Sequence, residues 1–252
     1  MTELTLPLLF ESFGRIPHGR VILAMYDPDS QYGSLMVNIA AEHLKSGGDL
    51  LFLVSSRPVS EIRKQFNALD VDVEHYEAKD SAVLFDVYST QMGLKSPEKR
   101  QSVASNLNEV SIAISESAPQ WPAGTLVIAE SFSHMAFNQE NVFTKFSRKL
   151  VGVWRNQGTV MIAGFATGLH PPEFYQKMKL ISDGALEVRL AERGGEMINT
   201  FRARSMKGQN TDTRWRQILF DSRMKASLRL LEQPSNQNLN TPQESSQLAL
   251  SY

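Results

Sequence analysis

Residues 19–48 constrain the fold more than any other part of the chain, because they combine the patterns of a buried strand, a turn and a helix. Arg20–Met25 is largely an apolar run, typical of a strand that is buried on both faces of a parallel sheet. A polar turn, Tyr26–Gly33, separates it from residues whose apolar side chains recur at helical spacing. Gly47 and Gly48 end this helix. The stretch therefore predicts one strand, turn and helix unit of an α/β protein.

The same alternation continues to residue 181. Further strands are predicted at Leu50–Ser55, Val71–Tyr76, Ala82–Tyr88, Thr125–Glu130 and Thr159–Ala163. Helices are predicted at about Pro58–Leu69, Val103–Ser117, Asn138–Arg155 and Pro172–Ile181. Because strands that alternate with helices pair in parallel, we expect an α/β fold with a mostly parallel, twisted sheet and helices on both faces.

The pattern changes after Ile181. Antiparallel strands are predicted at Ala185–Leu190, Met197–Arg204 and Thr213–Phe220, and a short helix at about Ser222–Glu232. Residues 233–252 are rich in Ser, Asn and Gln and carry one charged side chain, a composition typical of disorder. We therefore predict a single domain over residues 1–232, with an antiparallel C-terminal extension, and a disordered tail over residues 233–252 whose apolar end could dock on a partner.

The composition of the chain excludes several classes of function. The chain has 252 residues, a formal net charge of −1 and no cysteine. A nearly neutral chain has no global field that would drive it onto nucleic acid or an acidic membrane. The absence of cysteine excludes disulfides and thiol catalysis, and no apolar run approaches the roughly 18 residues of a membrane span. We expect a cytoplasmic protein without membrane contact.

Four strings resemble, in order, those of the RecA/KaiC branch of the P-loop ATPases. Residues 8–19 are similar to the entry string L-D-x-L-L-G-G-G-I-P-x-G, and residues 130–133 to the end of the Walker B strand, D-S-L-S. Residues 182–186 resemble A-D-G-V-I, and residues 205–208 resemble K-M-R-G, which in KaiC-type rings reaches the nucleotide of a neighbouring subunit. The resemblance covers residues 8–220 and implies a RecA-like fold.

The nucleotide loop departs from this family. In the pattern G-x-P-G-S-G-K-T, backbone N–H groups surround the phosphates and the lysine reaches the β- and γ-phosphates. Aligned on it, the chain keeps Pro28 and Ser30 but has Tyr32 at the lysine and Gly33 at the Mg²⁺-binding hydroxyl. The resemblance thus implies a degenerate Walker A loop, composed of Tyr26, Asp27, Asp29, Gln31, Tyr32, Gly33 and Ser34.

The catalytic acids depart as well. Glu130 resembles the Walker B acid, but the family's catalytic glutamate pair falls on Ser56 and Arg57. Phosphoryl transfer depends almost wholly on positioning and charge neutralisation, which these substitutions remove. The resemblance therefore implies a pseudo-ATPase that needs no cofactor or metal, with bound ATP and Mg²⁺ as the less favoured outcome.

A basic region follows near the C-terminus. Between Arg202 and Arg229 there are eight basic residues against Asp212 and Asp221. Three interpretations remain open: a solvated face, a subunit interface, and a nucleic-acid contact in which Trp215 stacks on a base. The candidate contact residues are Arg204, Met206, Lys207, Gly208, Arg214 and Arg216. In a strand, Arg214 and Arg216 would share one face and the indole of Trp215 would lie on the other.

Two functions follow from the resemblance. The first is a scaffold or regulatory subunit that does not hydrolyse ATP and forms an oligomer with itself or with a paralogous RecA-like subunit. The Elongator accessory subunits, RecA-like proteins that assemble rings without P-loops, are a precedent for it. The second is a recombinase-like protein with residual binding of ATP or nucleic acid.

Overall fold

The structure is a computed structural model that describes residues 3–102, 106–117 and 121–232, apart from the side chains of 114–117. The predicted tail, 233–252, and the start of the helix predicted at Val103 lie outside the described residues. In the part that is described, no helix combines the length and apolarity needed to cross a membrane.

Strands and helices alternate as far as residue 181, and strands alone follow. The strands are β1 (Glu3–Leu4), β2 (Ile16–Pro17), β3 (Val21–Tyr26), β4 (Leu50–Val54), β5 (Ala82–Asp86), β6 (Leu126–Ala129), β7 (Val160–Ala166), β8 (Gly184–Arg193), β9 (Glu196–Met206), β10 (Arg216–Phe220) and β11 (Ala226–Leu230). The helices are α1 (Pro7–Phe13), α2 (Tyr32–Lys45), α3 (Val59–Ala68), α4 (Val73–Ala78), α5 (Tyr88–Gln91), α6 (Leu107–Ser117), α7 (Ser133–Ala136), α8 (Glu140–Gln157) and α9 (Pro172–Ile181).

Nine strands form one sheet in the order β11-β10-β9-β8-β3-β7-β6-β4-β5. The pairs from β8 to β5 are parallel, with β3 between β7 and β8, whereas β8 to β11 pair antiparallel. Strands β1 and β2 form a separate pair. The predicted fold class, a mostly parallel sheet with an antiparallel C-terminal extension, is confirmed.

Helices cover the parallel part of the sheet on both faces, which creates two apolar cores. One core holds side chains of α1, α2, α3 and α4, including Phe13 and Phe66. The other holds side chains of α6, α7, α8 and α9, including Phe143 and Trp154. Residues along β3 contribute alternately to the two cores, as expected for a central strand whose successive side chains point to opposite faces.

The strand predicted at Val71–Tyr76 is wrong, because this segment forms α4. Its alternation of apolar and polar residues is typical of a strand, but the Asp72 carboxylate accepts a hydrogen bond from the His75 N–H at 3.3 Å. Aspartate in this position caps the first turn of a helix. The sheet position next to β4 is taken by β5 instead, which confirms the strand predicted at Ala82–Tyr88 as far as Asp86, whereas Tyr88 begins α5.

The helix predicted at Ser222–Glu232 is also wrong, because β11 lies there. The Asp221 carboxylate accepts hydrogen bonds from the backbone N–H groups of Arg223 and Lys225, at 2.8 and 2.9 Å. Met224 adopts a positive φ of 61°, which belongs to a turn and not to a helix. The chain therefore reverses after β10, and β11 pairs with it as the edge strand.

Asn38 attaches this terminal hairpin to α2. Its side-chain oxygen accepts a hydrogen bond from the Ala226 N–H at 2.7 Å, and its side-chain nitrogen donates to the Met224 carbonyl at 2.9 Å. The same nitrogen also donates to the Ser34 carbonyl at 2.9 Å, and the residue is buried. One amide side chain thus satisfies backbone groups from two elements that are far apart in sequence.

We expect Asn38→Ala to destabilise the protein by about 1–3 kcal/mol, because it leaves buried backbone groups without partners. Asn67→Ala, which truncates an exposed asparagine on α3, is the matched control and should change the free energy of unfolding by less than about 0.5 kcal/mol. Urea unfolding of both variants measures the difference. Equal effects would contradict the role of Asn38.

Candidate functional site

The predicted loop connects the carboxyl end of β3 to the start of α2, and Asp27 holds it in place. The Asp27 carboxylate accepts hydrogen bonds from the Thr167 hydroxyl at 2.9 Å and from the Leu190 N–H at 3.1 Å. Its own N–H donates to the Val188 carbonyl at 3.0 Å. The loop is therefore attached both to the segment after β7 and to β8.

Backbone N–H groups of the loop have partners within the protein. The Ser30 N–H and hydroxyl both donate to the Asp27 carbonyl, at 2.9 and 2.6 Å. The Gln31 N–H donates to the Asn199 side chain of β9 at 2.7 Å, and the Ser34 hydroxyl donates to the Gln31 side chain at 3.2 Å. Two N–H groups that a phosphate-binding loop would direct at its ligand are thus used internally. Asp29, the other predicted loop acid, is exposed.

Tyr26 and Tyr32 stack on each other where the loop meets the sheet. Their ring centroids are 4.1 Å apart and their planes differ by 2°. Tyr32 is buried, and burial raises its pKa well above the ordinary value of a tyrosine. Among the described residues, its hydroxyl has no hydrogen-bond partner. The residue that the resemblance aligns with the lysine is therefore a neutral core side chain.

Gly164 of β7 makes room for this ring. A Cβ atom at residue 164 would lie 2.5 Å from the Tyr32 hydroxyl and 2.3 Å from the backbone oxygen of Glu130. Both distances are far shorter than any real contact of a Cβ atom. The tyrosine stack and the glycine in the neighbouring strand therefore depend on each other.

Glu130 follows β6 and forms an ion pair with Arg57. Nε and Nη2 of Arg57 both lie 2.9 Å from one carboxylate oxygen of Glu130. The other oxygen accepts weaker hydrogen bonds from the N–H groups of Ser55 and Ser56, at 3.4 and 3.3 Å. Glu130 is only 2 % exposed. Both oxygens of the acid that resembles Walker B are thus occupied by protein donors.

Gly33 lies directly against this pair. A Cβ atom at residue 33 would lie 2.6 Å from Nη2 of Arg57 and 3.3 Å from the nearer oxygen of Glu130. The resemblance aligns Gly33 with a residue whose hydroxyl binds Mg²⁺. The Arg57 guanidinium occupies the space into which such a side chain would extend, so a larger residue at position 33 would require this guanidinium to move.

The residues predicted in the basic region separate into buried and exposed groups. Met206 belongs to a core, and Arg216 is buried and bonded to Asp212 at 2.7 Å, so the prediction that these two make surface contacts is wrong. Lys207 donates to the Ser182 carbonyl near the end of α9, and Gly208 forms a turn with a φ of +79°. Arg204 and Arg214 remain exposed.

Sequence reasoning missed three contributors to the loop environment. Thr167 follows a buried strand, and the rule that ligand sites form at the carboxyl ends of parallel strands could have identified it. Asn199 and Gly164 carry no local signal, because their roles depend on partners more than 130 residues away in the chain, Gln31 and Tyr32.

A mostly parallel sheet with a loop between its central strand and the first covering helix, and with an acid after the neighbouring strand, defines a RecA-like domain of the P-loop class. The family model described as "ATPase: KaiC" matches residues 7–221, and the chain belongs to this KaiC-like ATPase family. No curated protein sequence matches it.

A solved structure supports the fold independently. The crystal structure of a KaiC-like protein from the hyperthermophilic archaeon Pyrococcus horikoshii OT3 superposes with a TM-score of 0.64. The alignment covers 88% of this chain and 95% of that protein at 14% sequence identity. The likeness at this identity concerns the fold alone.

We expect Tyr32→Phe to remove part of the loss of stability at alkaline pH. The folded state holds the Tyr32 proton more tightly than the unfolded chain, whose tyrosines ionise near about pH 10. Stability from this group is therefore complete below about pH 10 and falls above it, by up to about 1.4 kcal/mol per pH unit. Urea unfolding from pH 7 to 11 measures the two slopes, and equal slopes would contradict the assignment.

We expect Arg57→Ala to destabilise the protein by about 3 kcal/mol, because it leaves the Glu130 carboxylate buried without a counter-charge. The double variant Arg57→Ala/Glu130→Gln is the control, since it removes both charges. It should be less destabilised than the sum of the single variants by at least about 1 kcal/mol. Thermal and urea unfolding of the four proteins complete this cycle, and simple additivity would contradict a coupled pair.

Proposed function

We propose that this chain is a non-hydrolysing scaffold or regulatory subunit of the RecA/KaiC type, a pseudo-ATPase that acts in the cytoplasm by assembling with its own copies or with a paralogous RecA-like subunit. The observation that carries the proposal is the ion pair between Arg57 and Glu130. The proposal concerns a member of the KaiC-like family whose site is filled by its own side chains.

The ion pair opposes both parts of ATP hydrolysis. Mg²⁺ prefers oxygen ligands with near-octahedral geometry, and the carboxylate of Glu130 is instead bonded to a guanidinium and two backbone N–H groups. Arg57 stands where the resemblance places a catalytic glutamate, and an arginine cannot accept a proton from water because it stays protonated. Hydrolysis would therefore lack its metal ligand and its general base.

The loop opposes binding of the phosphates themselves. Tyr32 supplies a neutral buried ring in place of a lysine charge. Asp27 and Asp29 would bring negative charge towards a polyphosphate, and like charges repel. The Ser30 and Gln31 N–H groups would have to leave their internal partners before they could bind a phosphate. Each of these features supports a domain that keeps the RecA-like fold but does not bind a nucleotide.

Assembly is the role that remains for such a domain. KaiC-like proteins often form oligomers, and the chain matches their domain from residue 7 to residue 221. A RecA-like subunit without nucleotide chemistry can still supply surfaces for neighbouring subunits. Such a subunit would then contribute to an assembly by fixing the position or the number of its catalytically active subunits.

We expect Mg-ATP and Mg-ADP to give no heat of binding in calorimetry at micromolar protein, and no phosphate to be released over hours. A KaiC-like ATPase with an intact GxxxxGKT loop is the positive control in the same buffer. Saturable binding accompanied by turnover would contradict the pseudo-ATPase assignment.

Light scattering on the same preparation tests assembly separately. We expect a mass above that of the 28.3 kDa monomer, either for the protein alone or after mixing with a paralogous RecA-like subunit. Monomers under both conditions would contradict the scaffold role and leave the result on nucleotide binding unaffected.

A further inference from the structure

The antiparallel extension has one covered and one open face. Side chains of the covered face, such as Val188, Phe201 and Ile218, belong to the core that also holds α1 and α2. On the other face lie Arg189, Arg202, Arg204 and Trp215, grouped around Glu187, and we call these five residues the arginine platform. The side chain of Arg216 lies on the covered face, near Glu11 of α1, so the indole of Trp215 is on the opposite face from Arg216, as the sequence predicted.

One carboxylate organises three guanidinium groups. Glu187 is 4 % exposed, and its oxygens lie 3.1 Å from Arg189, 2.9 Å from Arg202 and 3.0 Å from Arg204. Three positive charges against one negative charge leave a local excess. Because the carboxylate holds the guanidinium groups in place before any ligand arrives, less conformational entropy is lost when an anion binds.

Donors remain available on this surface. Each guanidinium has five N–H groups, and a single carboxylate cannot accept from all of them. The side chains of Arg189 and Arg204 are 48% and 44% exposed, so their remaining N–H groups can reach a ligand in solvent. Guanidinium groups match the geometry of phosphate oxygens and can bind them through two parallel hydrogen bonds.

Trp215 adds an aromatic surface to these charges. The guanidinium carbons of Arg202 and Arg189 lie over its ring, 4.3 and 5.6 Å from the centre, so both arginines make cation–π contacts with the indole. The ring is only partly buried. Proteins that bind single-stranded nucleic acid combine aromatic rings with basic side chains. The bases stack on the rings, and the phosphates of the nucleic-acid backbone contact the basic groups.

The charge distribution of the whole chain agrees with an anionic ligand at this place. Residues 184–230 contain ten basic and five acidic side chains, whereas the complete chain has a net charge of −1. The extension therefore carries a net positive charge, and the rest of the chain carries a net negative charge that balances it. Such an asymmetry attracts a polyanion to one surface without making the whole protein basic.

We propose that the arginine platform binds single-stranded nucleic acid, with phosphates on Arg189 and Arg204 and a base on Trp215. An acidic protein surface is the competing occupant, and the partly exposed indole favours nucleic acid because an acidic peptide has no base to stack on it. The platform is separate from the side chains that fill the nucleotide loop. The inference therefore does not depend on the proposed loss of ATP hydrolysis.

Fluorescence anisotropy with labelled dT20 and rU20 at about 50 mM and 200 mM salt tests this proposal. We expect saturable binding that weakens with salt, because neutralised phosphates release counterions. In Arg189→Ala/Arg204→Ala the affinity should fall by at least about tenfold and the slope of log affinity against log salt by about 1.4, the value for two phosphate contacts on a single strand. Trp215→Ala should weaken binding by about tenfold through lost stacking.

Matched variants distinguish binding at the arginine platform from nonspecific attraction by positive charge. Lys99→Ala/Arg100→Ala removes the same charge from two exposed residues near the opposite sheet edge and should leave binding unchanged. Arg189→Lys/Arg204→Lys keeps the charge, loses the guanidinium fork and should bind with intermediate affinity. Thermal unfolding of every variant checks that a change in binding is not caused by loss of the fold.

Three results would overturn the proposal. These are no binding of either oligonucleotide at 50 mM salt, equal weakening by the platform and Lys99/Arg100 variants, and equal affinity for polyglutamate of matched charge. The last result would assign the platform to an acidic protein. A preference between dT20 and rU20 would identify which nucleic acid is bound and would support the proposal in either direction.

Discussion

Parallel pairing of β3 with β7 and β8 is the interaction on which the rest of the structure depends. It places Val21–Met25 in the middle of the sheet, with apolar side chains on both faces, and so requires helices on both sides. It also fixes where the following loop emerges, because the carboxyl ends of β3, β6 and β7 lie at one edge. Asp27, Glu130 and Thr167 meet there for this reason, although the chain separates them widely.

At that edge, the polar and aromatic side chains contact one another. A positive guanidinium neutralises Glu130, and two stacked tyrosine rings lie at the start of α2. The side chains of Thr167, which follows β7, and of Asn199 in β9 hold the loop. Burying a carboxylate costs several kcal/mol unless it is paired, so Arg57 offsets the cost of burying Glu130 in this protein. The site is thus complete from the chain's own residues, which is the basis for the pseudo-ATPase proposal.

The sequence predicted those features that depend on neighbours along the chain. Arg20–Met25 and the helix after it show their structure through an apolar run and a helical repeat, and the position of Glu130 after a strand follows from the same logic. The predictions for Val71–Tyr76 and Ser222–Glu232 are wrong because apolar periodicity alone does not determine these conformations. Asp72 caps a helix in the first segment, and Asp221 stabilises a turn before the second. The contact of Tyr32 with Gly164 could not be predicted from the sequence, because it depends on how residues far apart in the chain pack together.

The contact between Gly33 and Arg57 has a consequence for how substitutions at this site combine. A threonine at residue 33 would require the Arg57 guanidinium to move, and loss of the arginine would leave an acid buried alone. Replacing Tyr32 by lysine would break a stack and bury a charge beside Gly164. Substitutions at residues 32, 33 and 57 are therefore coupled, and their effects on stability should not simply add. Packing at one glycine therefore makes these residues behave as one unit, so changes to this site have to be designed as sets of substitutions.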